Sequence, residues 1–262
     1  FIKTSAAATA MIGLSSPFST LKGGILGANE KLVCGVIGVN GMGFSDLRAF
    51  LNLPDTECAA LCDVDSRAIL ACQERLKASQ DIKTKGCRGV RESLQDKEID
   101  AMVIAAPDHW HAPAALLAMQ AGKHVYLEKP SSHNPREGEI LIEAARKYDK
   151  AVQLGNQRRS FPHVMQGMQE LKDGAIGRAY FGKGWYANNR ESIGSGMETE
   201  VPEWLDWELW QGPAPRKAYR DNLVHYNWHW FWHWGTGEAL NNGTHMIDML
   251  RWGMEVDYPV KV

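Results

Sequence analysis

No stretch of the 262-residue chain approaches the roughly 18 consecutive apolar residues that a bilayer span needs. An excess of either charge is missing too: 29 Lys+Arg stand against 31 Asp+Glu, a formal net of −2. Proteins that grip nucleic acid by its phosphates carry a strong basic excess, so no nucleic-acid partner is expected. Cysteine is scarce and odd in number: Cys34, Cys58, Cys62, Cys72 and Cys87, all in the first third. That is no disulfide framework, and buried reduced thiols are the expectation. With 44% hydrophobic and 23% charged residues, the composition is that of a folded globular chain. What is abundant is glycine, 25 residues, and tryptophan, 10 residues, nine of them after position 184. The two halves of the chain therefore differ in kind.

Phe1-Ile2-Lys3 opens the chain, followed by a short apolar stretch from Ser5 to Leu14 and a Ser/Gly/Pro segment to about Glu30. This resembles the end of a twin-arginine export signal whose arginines would precede residue 1. It predicts a leader over 1–30 and a periplasmic protein, or a cytoplasmic one if the segment is an ordinary arm.

From Lys31 the pattern changes. Lys31–Ile37 is an apolar strand that runs into Gly38-Val39-Asn40-Gly41-Met42-Gly43, with a helix over Phe44–Leu53 ended by Pro54. A second strand, Glu57–Cys62, closes on Asp63, 20 residues after Gly43. Glycines here let a backbone approach a pyrophosphate and let the next helix aim free N–H groups at it. The acidic residue would take the ribose hydroxyls. A strict G-x-G-x-x-G would place glycine at position 40, where this chain has Asn40 with Gly41 beside it. Asp63 favours NAD by repelling a 2′-phosphate, and Arg67 nearby leaves NADP open.

The alternation continues with a helix over Ser66–Ala78, a strand over Ile99–Ala105, and a turn at Pro107–His111. A helix over Ala112–Ala121, a strand over His124–Leu127, a helix over Pro135–Lys147 and a strand over Ala151–Leu154 follow. Such an order predicts an α/β fold with a doubly wound parallel Rossmann sheet over 31–155. Ligands of these sheets sit at the carboxyl ends of the strands. The glycine turn, Asp63, the Pro107–His111 turn and Glu128-Lys129-Pro130 all fall there.

The run Ala121-Gly122-Lys123-His124-Val125-Tyr126-Leu127-Glu128-Lys129-Pro130 resembles the Gfo/Idh/MocA oxidoreductases. So do Gly155-Asn156-Gln157-Arg158-Arg159, Trp207–Pro213, and Gly235–Glu238 through His245–Asp248, and the likeness runs from Lys31 to Val262. The resemblance implies that Lys129 reaches between nicotinamide and substrate, where an ammonium can stabilise a reacting oxygen. It implies a Lys129–Pro130 bond that is cis, Glu128 at the cofactor end of the site, and His245 as the base, with a pKa near its ordinary value. Many relatives carry Asp where this chain has Asn241, which can orient but cannot share a proton; a full Asp–His base pair is thereby in doubt. Asp248 reads as a buried helix partner. The cofactor set is Gly38, Asn40, Gly41, Met42, Gly43, Asp63, Pro107, His111, Glu128, Lys129 and Gln157. His111 reads equally as a capping or packing residue. Lys129, Arg158, Asn188, Asn241 and His245 would meet substrate.

Beyond residue 155 a truncated α+β domain with a mainly antiparallel open sheet is expected over 156–262. Ala179–Ala187 reads as one strand and 258–262 as the start of another. Trp204, Trp207 and Trp210 have helical spacing. From Tyr226 to Trp234 every even position is aromatic, which predicts an extended segment. Its aromatic face is either core or a platform for a sugar ring, with Asn188, Arg190, Asn227 or His229 binding hydroxyls. His225, His229 and His233 would share a helix face and could hold zinc, but the alternation argues against a helix, and no metal is expected.

These readings point to an NAD(P)-dependent oxidoreductase acting on a sugar, cyclitol or glycoside hydroxyl, a homo-oligomer when complete. A redox-neutral, NAD-dependent glycoside hydrolase is the first alternative. A noncatalytic nucleotide-binding or scaffold protein is the second.

Overall fold

Short apolar runs bounded by glycine or proline become strands, and the longer amphipathic stretches between them become helices. A computed structural model describes residues 31–77, 83–257 and 259–261. The leader-like segment 1–30, and Tyr258 and Val262 of the last expected strand, lie outside the described residues; 259–261 are not in a strand.

Six strands, β1 (Leu32–Ile37), β2 (Thr56–Cys62), β3 (Lys85–Cys87), β4 (Ala101–Ile104), β5 (His124–Glu128) and β6 (Val152–Gly155), form one sheet in the order β3-β2-β1-β4-β5-β6. Every pairing is parallel. The order reverses between β1 and β4, which is where such sheets bind ligands. Helices α1 (Gly41–Leu51) and α2 (Ser66–Leu76) cover one face. The short α3 (Val90–Ser93), α4 (Asp108–Gln120) and α5 (Pro135–Tyr148) cover the other. Ala112, Ala114, Ala115 and Ala118 of α4 are fully buried, their small side chains bringing that helix close to the sheet. The β3 strand and α3 were not predicted, because three and four residues are too few to show a period.

Register changes once. Cys34 pairs with Cys58, but Gly35 pairs with Ala60, so Ala59 is a bulge. Residues spaced four apart on a strand normally share a face. The bulge puts Cys58 among the α1/α2 side chains and Cys62 on the α4/α5 side. All five cysteines are buried thiols.

The expected turn at Pro107–His111 is instead the cap and first turn of α4. Pro107 supplies the cap, and Asp108 and His109 hold backbone groups of a distant segment. The carboxylate of Asp108 accepts from the Thr236 amide (3.0 Å) and hydroxyl (2.6 Å). His109 Nε2 lies 2.9 Å from the Trp210 carbonyl oxygen. Trp110 Nε1 donates to the carbonyls of Leu209 and Trp210 at 3.1 Å each.

After β6 come α6 (Pro162–Lys172), α7 (Trp207–Gln211), α8 (Gly237–Asn241) and α9 (Gly243–Met254). Among the described residues no antiparallel sheet forms in this part; the isolated antiparallel bridges are Asp65–Leu205 and Glu198–Arg220. Ala179–Ala187 is not a strand here: Gly182 and Gly184 lie against Leu250, Met254 and Met246 of α9, with no strand paired to them among the described residues. The segment 226–234 is not extended either. It contains a 3-10 turn, Asn227–Trp230, and only its Trp228 and Trp234 are buried. They join Leu205, Trp207, Trp210, Tyr219 and Leu223 in an aromatic core, where Trp207 and Trp210 stack at 4.8 Å and Trp210 meets Trp234 edge-on at 4.9 Å. Trp232 is 92% exposed. Alternation along the chain is thus a product of successive turns, not of a pleat. Residues 32–262 form one compact unit.

Candidate active site

The carboxyl ends of the strands open on a cleft of about 550 Å³. At one end lies the glycine turn. Gly38 has φ +81°, and a Cβ there would stand 2.6 Å from the Ala105 carbonyl oxygen. Asn40 caps α1, its Oδ1 accepting from the Gly41 amide at 2.9 Å. Gly41 has φ +47° and open space where a Cβ would be. Gly38, Asn40, Gly41 and Met42 line the cleft; Gly43 lies behind them, against the Gly38 carbonyl. Asp63, at the end of β2, lines it too. Its Oδ2 accepts from the Val39 amide and its Oδ1 from the Asp65 amide, both at 2.9 Å, so this carboxylate also holds the glycine turn to β2. Burial pushes its pKa up.

At the other end are residues of β5 and of the far part of the chain. The Lys129–Pro130 bond is cis. Lys129 Nζ donates to the backbone oxygen of Asn241 (2.9 Å) and to its Oδ1 (3.2 Å). Asn241, at the end of α8, and His245, in the first turn of α9, are buried and line the cleft beside Lys129. His245 does not sit near its ordinary pKa: burial first, then the charges of Lys129 and Arg158, lower it to about 4. It is therefore a neutral acceptor at physiological pH.

Three buried acceptor atoms near Lys129 have no partner within the chain: His111 Nε2, Glu128 Oε1 and Gln157 Oε1. His111 is held by Nδ1, 2.5 Å from the Pro130 carbonyl oxygen, and its residual basicity is lowered by burial. Nδ1 facing a carbonyl makes it the N–H, so Nε2 offers a lone pair to the cleft. Buried acceptors normally find donors. The hydroxyls and carboxamide of a nicotinamide riboside supply donors of that kind, so these residues fit a pyridine nucleotide with Gly38–Met42 and Asp63 at its other end.

Sequence-predicted residues that gather at the cleft are Gly38, Asn40, Gly41, Met42, Asp63, Pro107, His111, Glu128, Lys129, Gln157, His229, Asn241 and His245. Arg158 is not a lining residue and acts on His245 through its charge. Asn188 is not brought to the cleft; its amide donates to the Tyr186 hydroxyl at 3.1 Å. Arg190 pairs with Glu238 (2.9 Å) and lies 4.6 Å over Trp230. Asn227 donates to the Asn222 carbonyl. Arg67 is held by Asp65 and lies 3.5 Å over Trp204, outside the cleft lining. Asp248 is fixed by Arg159 through bonds of 2.8 to 3.0 Å. His225, His229 and His233 diverge to Asp65, the Tyr226 carbonyl and the Pro215 carbonyl respectively.

Several lining residues were not read as site residues from sequence: Arg88 and Val90 after β3, Trp110 and His225; Tyr226 and Trp228, of the aromatic stretch read as core or sugar platform, line the cleft as well. Arg88 and Val90 follow a strand too short to be seen. The others reach the cleft only because the aromatic core docks on α4 and β2.

Glu128 is a buried carboxyl whose value rises to about 7 through burial and the nearby Asp46, itself raised to about 6. The folded chain binds that proton more tightly than the unfolded chain does. Its contribution to stability therefore falls as pH rises from the ordinary 4.5 through about 7. His109 and His245 act oppositely, their lowered values removing stability as pH falls from 6.5 toward about 4. Glu128→Gln should isolate the first effect, gaining on the wild type with rising pH by up to about 3 kcal/mol. Urea melts at about pH 5 and about pH 8 check this; a gain that does not grow with pH would remove the assignment.

A parallel 3-2-1-4-5-6 sheet with a glycine turn and an acidic strand end at its switch point defines a dinucleotide-binding Rossmann protein. A profile described as oxidoreductase family, NAD-binding Rossmann fold, matches residues 32–156. A second, described as oxidoreductase family, C-terminal alpha/beta domain, matches 184–262. The chain belongs to the Gfo/Idh/MocA oxidoreductase family, and its cofactor is NAD. It is 29% identical to a glycosyl hydrolase family 109 protein of Saccharopolyspora erythraea, over 84% of this chain and 54% of that one. It is also 29% identical to an inositol 2-dehydrogenase of Rubrobacter xylanophilus, over 62% of this chain and 46% of that one. The chain thus spans about half the length of these relatives. Among solved structures it resembles myo-inositol dehydrogenase from Lactobacillus casei in complex with NAD(H) and myo-inositol, with a TM-score of 0.52, 25% identity, and coverage of 56% of this chain and 43% of that one. It shares its fold with GenD2 from gentamicin A biosynthesis in complex with NAD, with a TM-score of 0.61 at 18% identity, over 86% of this chain and 54% of that one. Among the described residues no helix is long and apolar enough to cross a membrane.

Proposed function

We propose that this protein transfers hydride between NAD and a secondary hydroxyl of a sugar, cyclitol or glycoside. One observation carries the reading: Lys129, Asn241 and His245 meet at the cleft although 112 positions separate the first two. NAD when bound supplies the hydride acceptor. Lys129 presents an ammonium whose charge favours an oxygen becoming alkoxide-like as its carbon loses hydride. Asn241 fixes the direction of that ammonium through two acceptors. His245, neutral above about pH 4, takes the hydroxyl proton. Asn241 is an orienting residue here, so the base is a single histidine without a carboxylate partner. The aromatic core roofs the cleft with Trp210 and Trp228 and limits the access of water.

The Saccharopolyspora relative favours a second reading, redox-neutral cleavage of a glycoside, because it matches most of this chain. A screen of cyclitols, sugars and aryl glycosides with NAD distinguishes the two. Growth of the NADH absorbance band with a polyol or sugar supports net oxidation. Release of aglycone without net NADH supports cleavage. No turnover across the panel, with NAD bound, defeats both.

A further inference from the structure

Of the five buried thiols, Cys72 lies on α2 and the other four form two cross-strand pairs in the sheet. Cys34 stands opposite Cys58 on β1 and β2, and Cys62 opposite Cys87 on β2 and β3. Opposed residues of adjacent parallel strands point to one face about 4.8 Å apart. That is inside the Cα separation of about 4.4–6.8 Å that a disulfide accepts. The thiols of Cys62 and Cys87 donate to the carbonyls of Arg88 (3.6 Å) and Leu61 (3.7 Å), which sets the two side chains on the α4/α5 side of the sheet. Access separates the pairs. Cys34 and Cys58 are fully buried beneath α1 and α2. Cys62 lines the NAD cleft, and Cys87 keeps 5% of its surface exposed.

We propose that Cys62 and Cys87 form a thiol–disulfide site in the wall of the cofactor cleft, oxidised by a small-molecule disulfide when the cleft is empty of NAD and protected when NAD is bound. It needs only the cofactor cleft and does not depend on the hydride-transfer reading. The neighbours support coupling between the two events. The Cys62 thiol faces the Arg88 carbonyl at 3.6 Å, and the Asp63 amide donates to the Cys87 carbonyl at 3.1 Å. Asp63 and Arg88, the residues that follow the two cysteines, both line the cleft. Joining the two sulfurs at the roughly 2.05 Å of a disulfide draws the ends of β2 and β3 together and shifts both residues.

Chemistry orders the steps. The neighbouring Cys62 lowers the Cys87 pKa, while the neighbouring Cys87 and burial raise that of Cys62, so Cys87 forms thiolate first. Cys87 attacks a sulfur of R–S–S–R, forming Cys87–S–S–R and expelling RS⁻. Cys62 gives its proton to the departing thiolate and attacks the Cys87 sulfur, expelling the second RS⁻, which takes up the proton lost by Cys87. Two protein thiols and one small disulfide thus become one protein disulfide and two small thiols, the protein losing two electrons and two protons.

Oxidised glutathione serves as the probe on the reduced chain, with and without saturating NAD. Remaining thiols are alkylated under denaturing conditions and mapped by peptide mass. Without NAD, two of the five thiols should vanish into one linked Cys62–Cys87 peptide. NAD affinity should then fall at least about tenfold and return on reduction, and bound NAD should slow the oxidation by a similar factor. Cys62→Ser should stop at a glutathione adduct on Cys87. Five alkylated cysteines, a Cys34–Cys58 link in place of the expected one, or a Cys62–Cys87 link that leaves NAD affinity unchanged would each overturn the proposal; the wild-type map decides even if the variant does not fold.

Discussion

Lys129→Met should lower turnover by about a thousandfold or more while NAD affinity stays within a few-fold. Methionine keeps the length of the aliphatic stem and removes the charge. The ammonium it removes is held by two oxygens of Asn241, 2.9 and 3.2 Å away, so it has one direction in the cleft. Loss of a single positioned donor at a developing oxyanion costs about 10²–10³, and a charged donor costs more than a neutral one. The glycine turn and Asp63 sit at the other end of the cleft and keep their geometry, which is why cofactor binding should survive. Calorimetry with NAD and steady-state rates on the substrate found by screening check both halves. Turnover within tenfold of the wild type would sink the role assigned to Lys129.

Gly43→Ala should have the largest effect on cofactor binding. A Cβ at that position would overlap the carbonyl oxygen of Gly38, which is backbone and cannot swing aside. Either α1 withdraws from β1 or Gly38 rotates, and both open the turn that Asp63 ties to Val39. We expect a stability loss of about 3 kcal/mol, the upper range for overpacking, and a fall in NAD affinity of about a hundredfold. Gly41→Ala is the contrast. Its φ of +47° has open space around it, so the cost is the backbone conformation alone, about 1 kcal/mol. Thermal melts with NAD titrations on both variants test the pair; equal effects would show that crowding at Gly43 is not what selects glycine.

Much of the fold was legible because it is written locally. All five predicted strands of the alternation and their helices appear within a few residues of their predicted ends, since apolar runs, Pro54 and Gly122 are read directly from neighbours. Asp63 was found by distance from the glycine turn, and its second task, accepting the Val39 amide, was not. His245 was found by resemblance, but its lowered pKa comes from burial and from the charges of Lys129 and Arg158, which no spacing reveals. The aromatic alternation misled for a definite reason. Five rings at even positions satisfy a pleat on paper, yet the chain bends into a 3-10 turn because Trp228 and Trp234 both gain burial against Trp207 and Trp210.

The alternation of strands and helices, the glycine turn and the acidic strand end follow from patterns among residues close in the chain, and the amino acids alone specify them. The meeting of Lys129 with Asn241, and of Asp65 with His225 across 160 positions, does not follow from any local pattern. Those contacts exist because the tryptophan cluster buries its rings against the carboxyl edge of the sheet, and the free energy of that burial is a property of the assembled surfaces rather than of any one segment.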